Sequence, residues 1–144
     1  MPETLTLDVA RVIVAAARAA GREHRLAPLS VVVLDAGGHV TAFEREDGAS
    51  NMRFEIAHGK AHGALALGMG SRALMSRAEQ QPSFIAAATA AVGGALIPVP
   101  GGVLVQDSDG RTIGAVGVSG DSSDNDEIAA VAGITAAGLA PVTG

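Results

Sequence analysis

The stretch Gly102 to Gly120, GVLVQDSDGRTIGAVGVSG, constrains this chain more than any other. Val103, Leu104 and Val105 lead into the turn residues Asp107-Ser108-Asp109-Gly110, and Thr112 to Val118 lead out as a β-branched run broken by glycines, which is hairpin chemistry. Two strands alone are not stable in water. The outgoing strand carries apolar residues on both faces, Ile113 and Ala115 against Val116 and Val118, so it is expected centrally in a sheet covered on both sides. Gly114, Gly117 and Gly120 place no side chain there. In a strand that marks a bulge or the close approach of another backbone or a ligand, and a tight helix-on-sheet contact satisfies the same signal.

A second hairpin is expected over residues 30–45, where the apolar run Ser30 to Asp35 turns through Asp35-Ala36-Gly37-Gly38 into His39 to Arg45. Helices are expected from Thr6 to Ala20, with Leu5, Val9, Val12 and Ala16 on the inner face and Gly21 as the stop, and from about Met52 to Leu67, ended by Gly68 and Gly70. Ser71 to Gln80 and Pro82 to Ala91 read as two shorter helices, the latter with proline in its first turn. Ala95 to Val99 reads as a fifth strand, at an edge because of Pro98. Asp124 to Gly138 reads as a last helix, with Ile128, Val131 and Ala132 inward and Asp124, Asp126 and Glu127 in the first turn, where acids suit the helix dipole. The order predicts an α+β domain over residues 1–144, an antiparallel sheet of about five strands between helical layers.

Composition narrows the function classes. The chain has 144 residues, net charge -5, no cysteine and three aromatic residues, all phenylalanine. Without a basic cluster or stacking platforms, nucleic-acid binding is not expected. The absence of cysteine removes zinc-thiolate, iron-sulfur and thiol chemistry. The N-terminal MPETLTLDVA lacks a basic and then apolar leader pattern, and no uncharged apolar run approaches the length of a membrane span, so a cytoplasmic protein without a membrane partner is expected. The Ala-rich, weakly charged helices between Ala64 and Ala95 predict a homo-oligomer that covers them.

Lys60 is the only lysine. On the wheel of its helix it falls on the apolar arc among Ile56, Ala64 and Leu67, where an ammonium needs an anionic partner or a wet cavity. Two uses fit: a cation that binds a ligand anion or acts as base or nucleophile, and a structural ion pair. On the opposite arc, Glu55, His58 and His62 are grouped, and two histidines at i and i+4 can share a metal ion or one can ligate haem iron. Arg45, with Asp35, frames the first hairpin and is a candidate catalytic residue. Gly101, Gly102, Ser119 and Gly120 offer backbone N–H groups at strand ends, suited to an anion. GAVGVSG has the wrong glycine spacing for a dinucleotide fingerprint.

These stretches together resemble the GlcG/HbpS family, which includes haem-binding proteins and the C-terminal domain of PduO proteins. The likeness runs through VVVLDAGGHVTAFEREDGA from Val31, IAHGKAHGA from Ile56, PGGV from Pro100, and GAVGVSG with Asp126-Glu127 following. The resemblance implies a profilin-like fold and dimers that assemble into larger homo-oligomers. It also places Lys60 at the lysine of the family's helix motif. The function expected is small-molecule binding, of haem or another anionic cofactor or metabolite, in a pocket near Lys60, Gly101, Gly102, Ser119 and Gly120. The alternative is an enzyme acting on a small oxygenated metabolite, with a divalent metal at His58 and His62 or with Lys60 as base.

Overall fold

The computed structural model describes residues 4–144; the first three residues of the N-terminal stretch read above lie outside them. The elements follow in the order α1 (Leu7–Glu23), β1 (Ser30–Asp35), β2 (Val40–Arg45), α2 (Arg53–Leu67), α3 (Ser71–Gln80), α4 (Pro82–Ala91), β3 (Gly102–Gln106), β4 (Thr112–Ser119), α5 (Ser123–Ala136) and β5 (Ala140–Val142). The strands form one five-stranded antiparallel sheet in the order β2-β1-β4-β3-β5. This is the expected α+β architecture. β4 lies at its centre, as its two apolar faces require.

Strand alternation sends Val31 and Val33 of β1, Val103 and Val105 of β3, and Val116 and Val118 of β4 to one face. There they meet Ala10, Ile13, Val14 and Ala17 of α1 and Ala129, Ala130 and Ile134 of α5. Val32, Leu34, Leu104 and Ala115 point the other way, onto Ala57, Ala61 and Ala64 of α2. A third cluster, Leu74, Ile85 and Leu96, joins α3 and α4 to the loop that follows them.

The structure corrects three expectations. Ala95 to Val99 is not a strand, because Leu96 and Ile97 lie on the bare backbone of Gly63 and Gly59 in α2, and Ile97 N–H donates to Gly59 O at 3.1 Å. The fifth strand is the three-residue β5, which pairs with β3 at the sheet edge and was not foreseen. The inner stripes of α1 and α5 are also rotated: Val12 and Ile128 are exposed, while Ala10, Ile13, Val14, Ala17 and Gly21 of α1 and Ala129, Ala130, Gly133 and Ile134 of α5 are buried. The two helices pack on each other as well as on the sheet, and small residues let them approach closely. Gly21 therefore does not stop α1. It lies inside the helix, against Leu29.

Candidate functional site

α2 brings the candidate residues together. Its C-terminus closes on Gly68, whose positive φ of 71° lets its N–H return to Ala64 O. Its buried residues are Ala57, Gly59, Lys60, Ala61, Gly63 and Ala64, small residues with one lysine among them; Ala57, Ala61 and Ala64 pack on the sheet, while Gly59 and Gly63 meet Ile97 and Leu96. Gly117 of β4 passes directly under the Ala57 carbonyl, so the sheet leaves the helix no room for larger side chains. Lys60 is 1% exposed, and its ammonium donates to Val118 O at 2.9 Å and to Asp126 Oδ2 at 3.0 Å. Asp126, on α5, is also 1% exposed, and its Oδ1 accepts the Asp121 N–H at 2.9 Å. Burial pushes the Lys60 ammonium below the ordinary lysine value; Asp126 opposes that shift and nearby Arg53 adds to it. Burial likewise raises the Asp126 carboxyl, against the Lys60 charge and the Asp121 N–H.

The other residues picked out with Lys60 gather at the same seam. Gly101 has a φ of +121°, and a Cβ there would meet Lys60 Nζ and Val118 O. Gly102 N–H donates to Ser71 Oγ at 2.7 Å, and Gly120 lies against the Pro28 carbonyl. Ser119 Oγ accepts from Arg53 Nη1 at 3.1 Å. The space these glycines leave is therefore taken up by Lys60, Ser71 and Pro28, which is the helix-on-sheet contact of the two alternatives. Arg45 stands in one cross-strand row with Ser30 and Ser119 but is exposed, and its guanidinium donates to Ala49 O at 3.0 Å.

The acidic first turn of α5 does more than suit a dipole. Asp126 pairs with Lys60, while Asp124 and Glu127 pair with Arg72 of α3; the cap itself is Ser122, whose side chain accepts the Asn125 N–H. Asp126, Arg53 and Ser71 were missed in the sequence. For Asp126 a signal existed: it precedes Ala129, Ala130 and Gly133 at helical spacing, which makes it the acid on the inward stripe.

On the other arc of α2, Phe54, His58 and His62 form a stack with ring centroids 5.5 and 5.3 Å apart and planes inclined by 18° and 25°. Burial lowers the His58 pKa, and the neighbouring His62 adds to this. His62 Nδ1 lies 3.0 Å from Ala95 O. A carbonyl oxygen only accepts, so Nδ1 is the donor of this bond, and in the neutral ring the lone pair is then on Nε2. That edge of the ring faces a cleft of about 160 Å³ lined by Ala36, Gly37, Gly38, Leu65 and Ala66. Gly38 is close enough that a Cβ on it would touch the imidazole, 3.4 Å from Cδ2 and 3.8 Å from Nε2. Glu55 is exposed, and among the described residues no three His, Cys, Asp or Glu side chains gather as a metal cluster, so the two histidines stand without the glutamate. His24 and His39 are exposed, the latter hydrogen-bonded to Asp35 within its own turn.

Comparison with known proteins places this arrangement. No curated protein matches the chain. A crystal structure of a PduOC:haem complex is 25% identical, with 96% of this chain and 98% of that one covered and a TM-score of 0.85. The Klebsiella pneumoniae protein ORFY is 27% identical over 96% of this chain and 93% of its own, with a TM-score of 0.85. A double mutant of HbpS from Streptomyces reticuli is 29% identical over 94% and 88%, with a TM-score of 0.79. The family model for haem degrading protein HbpS-like matches residues 5–135, which is nearly the whole chain, and the chain belongs to the HbpS-like family.

Proposed function

We propose that this chain binds haem and that the His62 imidazole is the ligand to its iron. The observation that carries the reading is the ring's fixed tautomer: Nδ1 is held by Ala95 O at 3.0 Å, and Nε2 is left with a lone pair toward a cleft. Ligating histidines are commonly oriented in this way, by donating their other N–H to a carbonyl. The residues around it fit a flat apolar group. Ala36, Gly37, Gly38 and Ala66 project little and Leu65 adds an aliphatic wall, so these residues would hold one face of such a group, which the cleft is too small to enclose. Haem rather than a bare divalent ion is supported by the family's description and by the haem complex of a 25% identical relative. When bound, haem supplies redox-active iron. The chain's own contribution is to orient the His62 ring through Ala95 O and to stack His58 behind it.

Small-molecule binding at Lys60 finds less support, because its ammonium already has Asp126 and Val118 O as partners inside the protein. Titration of haem into the protein tests the reading. The wild type should give a saturable Soret shift, and His62→Ala should lose it while melting as a folded protein. A shift that survives His62→Ala overturns the assignment, and no shift in the wild type overturns haem binding.

A homo-oligomer built from dimers belongs to the same proposal. On α4, Phe84, Ala86, Ala87 and Ala90 are exposed side by side, an apolar face of the kind that partners cover. Light scattering at micromolar protein should give a multiple of the 14.2 kDa chain mass, and a monomer mass refutes this.

A further inference from the structure

The end of the sheet beneath the start of α2 carries more positive charge than the protein matches. Arg45 of β2, Ser30 of β1 and Ser119 of β4 stand in one cross-strand row. Strand alternation turns that row to the face of Phe43, Val32 and Ala115, which α2 covers. Arg53, the first residue of α2, reaches onto the row, and its Nη1 donates to Ser119 Oγ at 3.1 Å. Arg45 Nη1 donates to Ala49 O at 3.0 Å, in the loop that leads into α2.

Neither guanidinium meets a carboxylate among the described residues. The acids beside Arg45 in the chain are taken: Glu44 pairs with Arg18, and Glu46 with Arg18 and Arg22. The carboxylate of Asp126 is spent as well, with Oδ2 on Lys60 and Oδ1 on the Asp121 N–H. Arg53 is half-buried, its side chain is bonded to a neutral hydroxyl, and its charge lies close enough to Lys60 to push that ammonium further down. Two cations set side by side with one anion between them leave a charge uncompensated. α2 also begins without a side-chain cap, so its positive end adds to the same field.

We propose that Arg45 and Arg53 together bind an oxyanion, the carboxylate or phosphate group of a small metabolite. A guanidinium has five N–H donors in a planar fork that matches such a group, and each of these two uses a single nitrogen, Nη1, on the protein. The donors left over are reachable, since Arg45 is exposed and Arg53 half-exposed. A chain of net charge -5 repels a polyanion, which favours a small ligand over a nucleic acid. The site lies beside the sealed Lys60 pair and needs nothing from it. Arg53 precedes His62 by about 13 Å along α2, so the site does not depend on haem binding.

The test is titration of inorganic phosphate and of malonate into the isotopically labelled protein at constant ionic strength, following the backbone amides from Ala49 to Glu55 and that of Ser119. Saturable shifts are expected with at least one probe, and the one that binds more tightly tells phosphate from carboxylate. Arg45→Gln and Arg53→Gln should each bind it about tenfold more weakly, the scale of one charge-assisted hydrogen bond. Arg111→Gln removes a guanidinium that is also exposed and without an ion pair among the described residues, but far from α2 in the β3–β4 turn, and should bind like the wild type. No saturable shift with either probe, wild-type binding by Arg45→Gln or by Arg53→Gln, or an equal loss in Arg111→Gln overturns the proposal. Should Arg53→Gln fail to fold, Arg45→Gln against Arg111→Gln decides alone.

Discussion

The two arcs of α2 treat their ionisable side chains in opposite ways. Toward the sheet, Lys60 is sealed, and its charge is matched by Asp126 at 3.0 Å and by a carbonyl. Away from it, His58 and His62 are only partly buried, and His62 uses one nitrogen to fix its ring while the other has no hydrogen-bond partner among the described residues. A group whose bonding capacity is met inside the protein serves the scaffold. A group held rigid with an unused lone pair at a cleft is equipped to bind. The difference separates a structural ion pair from the proposed ligand site on one fifteen-residue helix.

Breaking the sealed side should have the largest effect. Lys60→Met leaves the Asp126 carboxylate buried without its cation, and removing one partner of such a pair costs about 3–5 kcal/mol. Adding Asp126→Leu should recover most of that loss, because the second change removes the uncompensated charge. Equilibrium denaturation of the two proteins checks both steps, and a Lys60→Met protein as stable as the wild type would remove Lys60 from the scaffold. The open side should respond in the reverse sense. His62→Ala should change stability by about 1 kcal/mol or less, the range for a partly exposed position, while the Soret shift disappears. A large loss of stability there would erase the contrast.

The smallest effect concerns the loop that carries Asp126 into place. Asp121 accepts N–H groups from Ala27 and Ser122 and from the Asn125 amide, each at 2.8 Å, and these donors hold its carboxyl below the ordinary 3.8. The folded value is depressed, so the stabilisation is present above the unfolded value and is lost as pH falls through the folded one. The Tm difference between wild type and Asp121→Asn should therefore be widest near neutrality and shrink on acidification toward pH of about 3. A gap that does not change with pH would mean that the carboxylate charge is not what ties Ala27 to α5.

Much of this was legible from local pattern. The two hairpins, the helices from Ser71 to Gln80 and from Pro82 to Ala91, and the family resemblance all rest on turn residues, caps and periodicity that act over a few positions. The odd setting of Lys60 was legible as well, as a charge that needs an anionic partner or a wet cavity. Its partner was not, because Asp126 lies 66 positions away and the same residue reads locally as an N-terminal helix acid. β5 escaped for a related reason. Ala140 to Val142 is too short to show a period, and only its pairing with β3 makes it a strand.

By itself the sequence determined the five helices and the two hairpins, that the sheet is covered on both sides, and that one lysine falls on an apolar helix arc. These follow from side-chain alternation, turn chemistry and helical periodicity, which act within a segment. The tertiary structure decided which acid meets Lys60, that the glycines at 101, 102, 117 and 120 admit neighbouring protein, and which nitrogen of His62 is left free. Those outcomes depend on groups far apart in the chain arriving within about 3 Å of each other, as hydrogen bonds require, and only the packed sheet and helices set that distance.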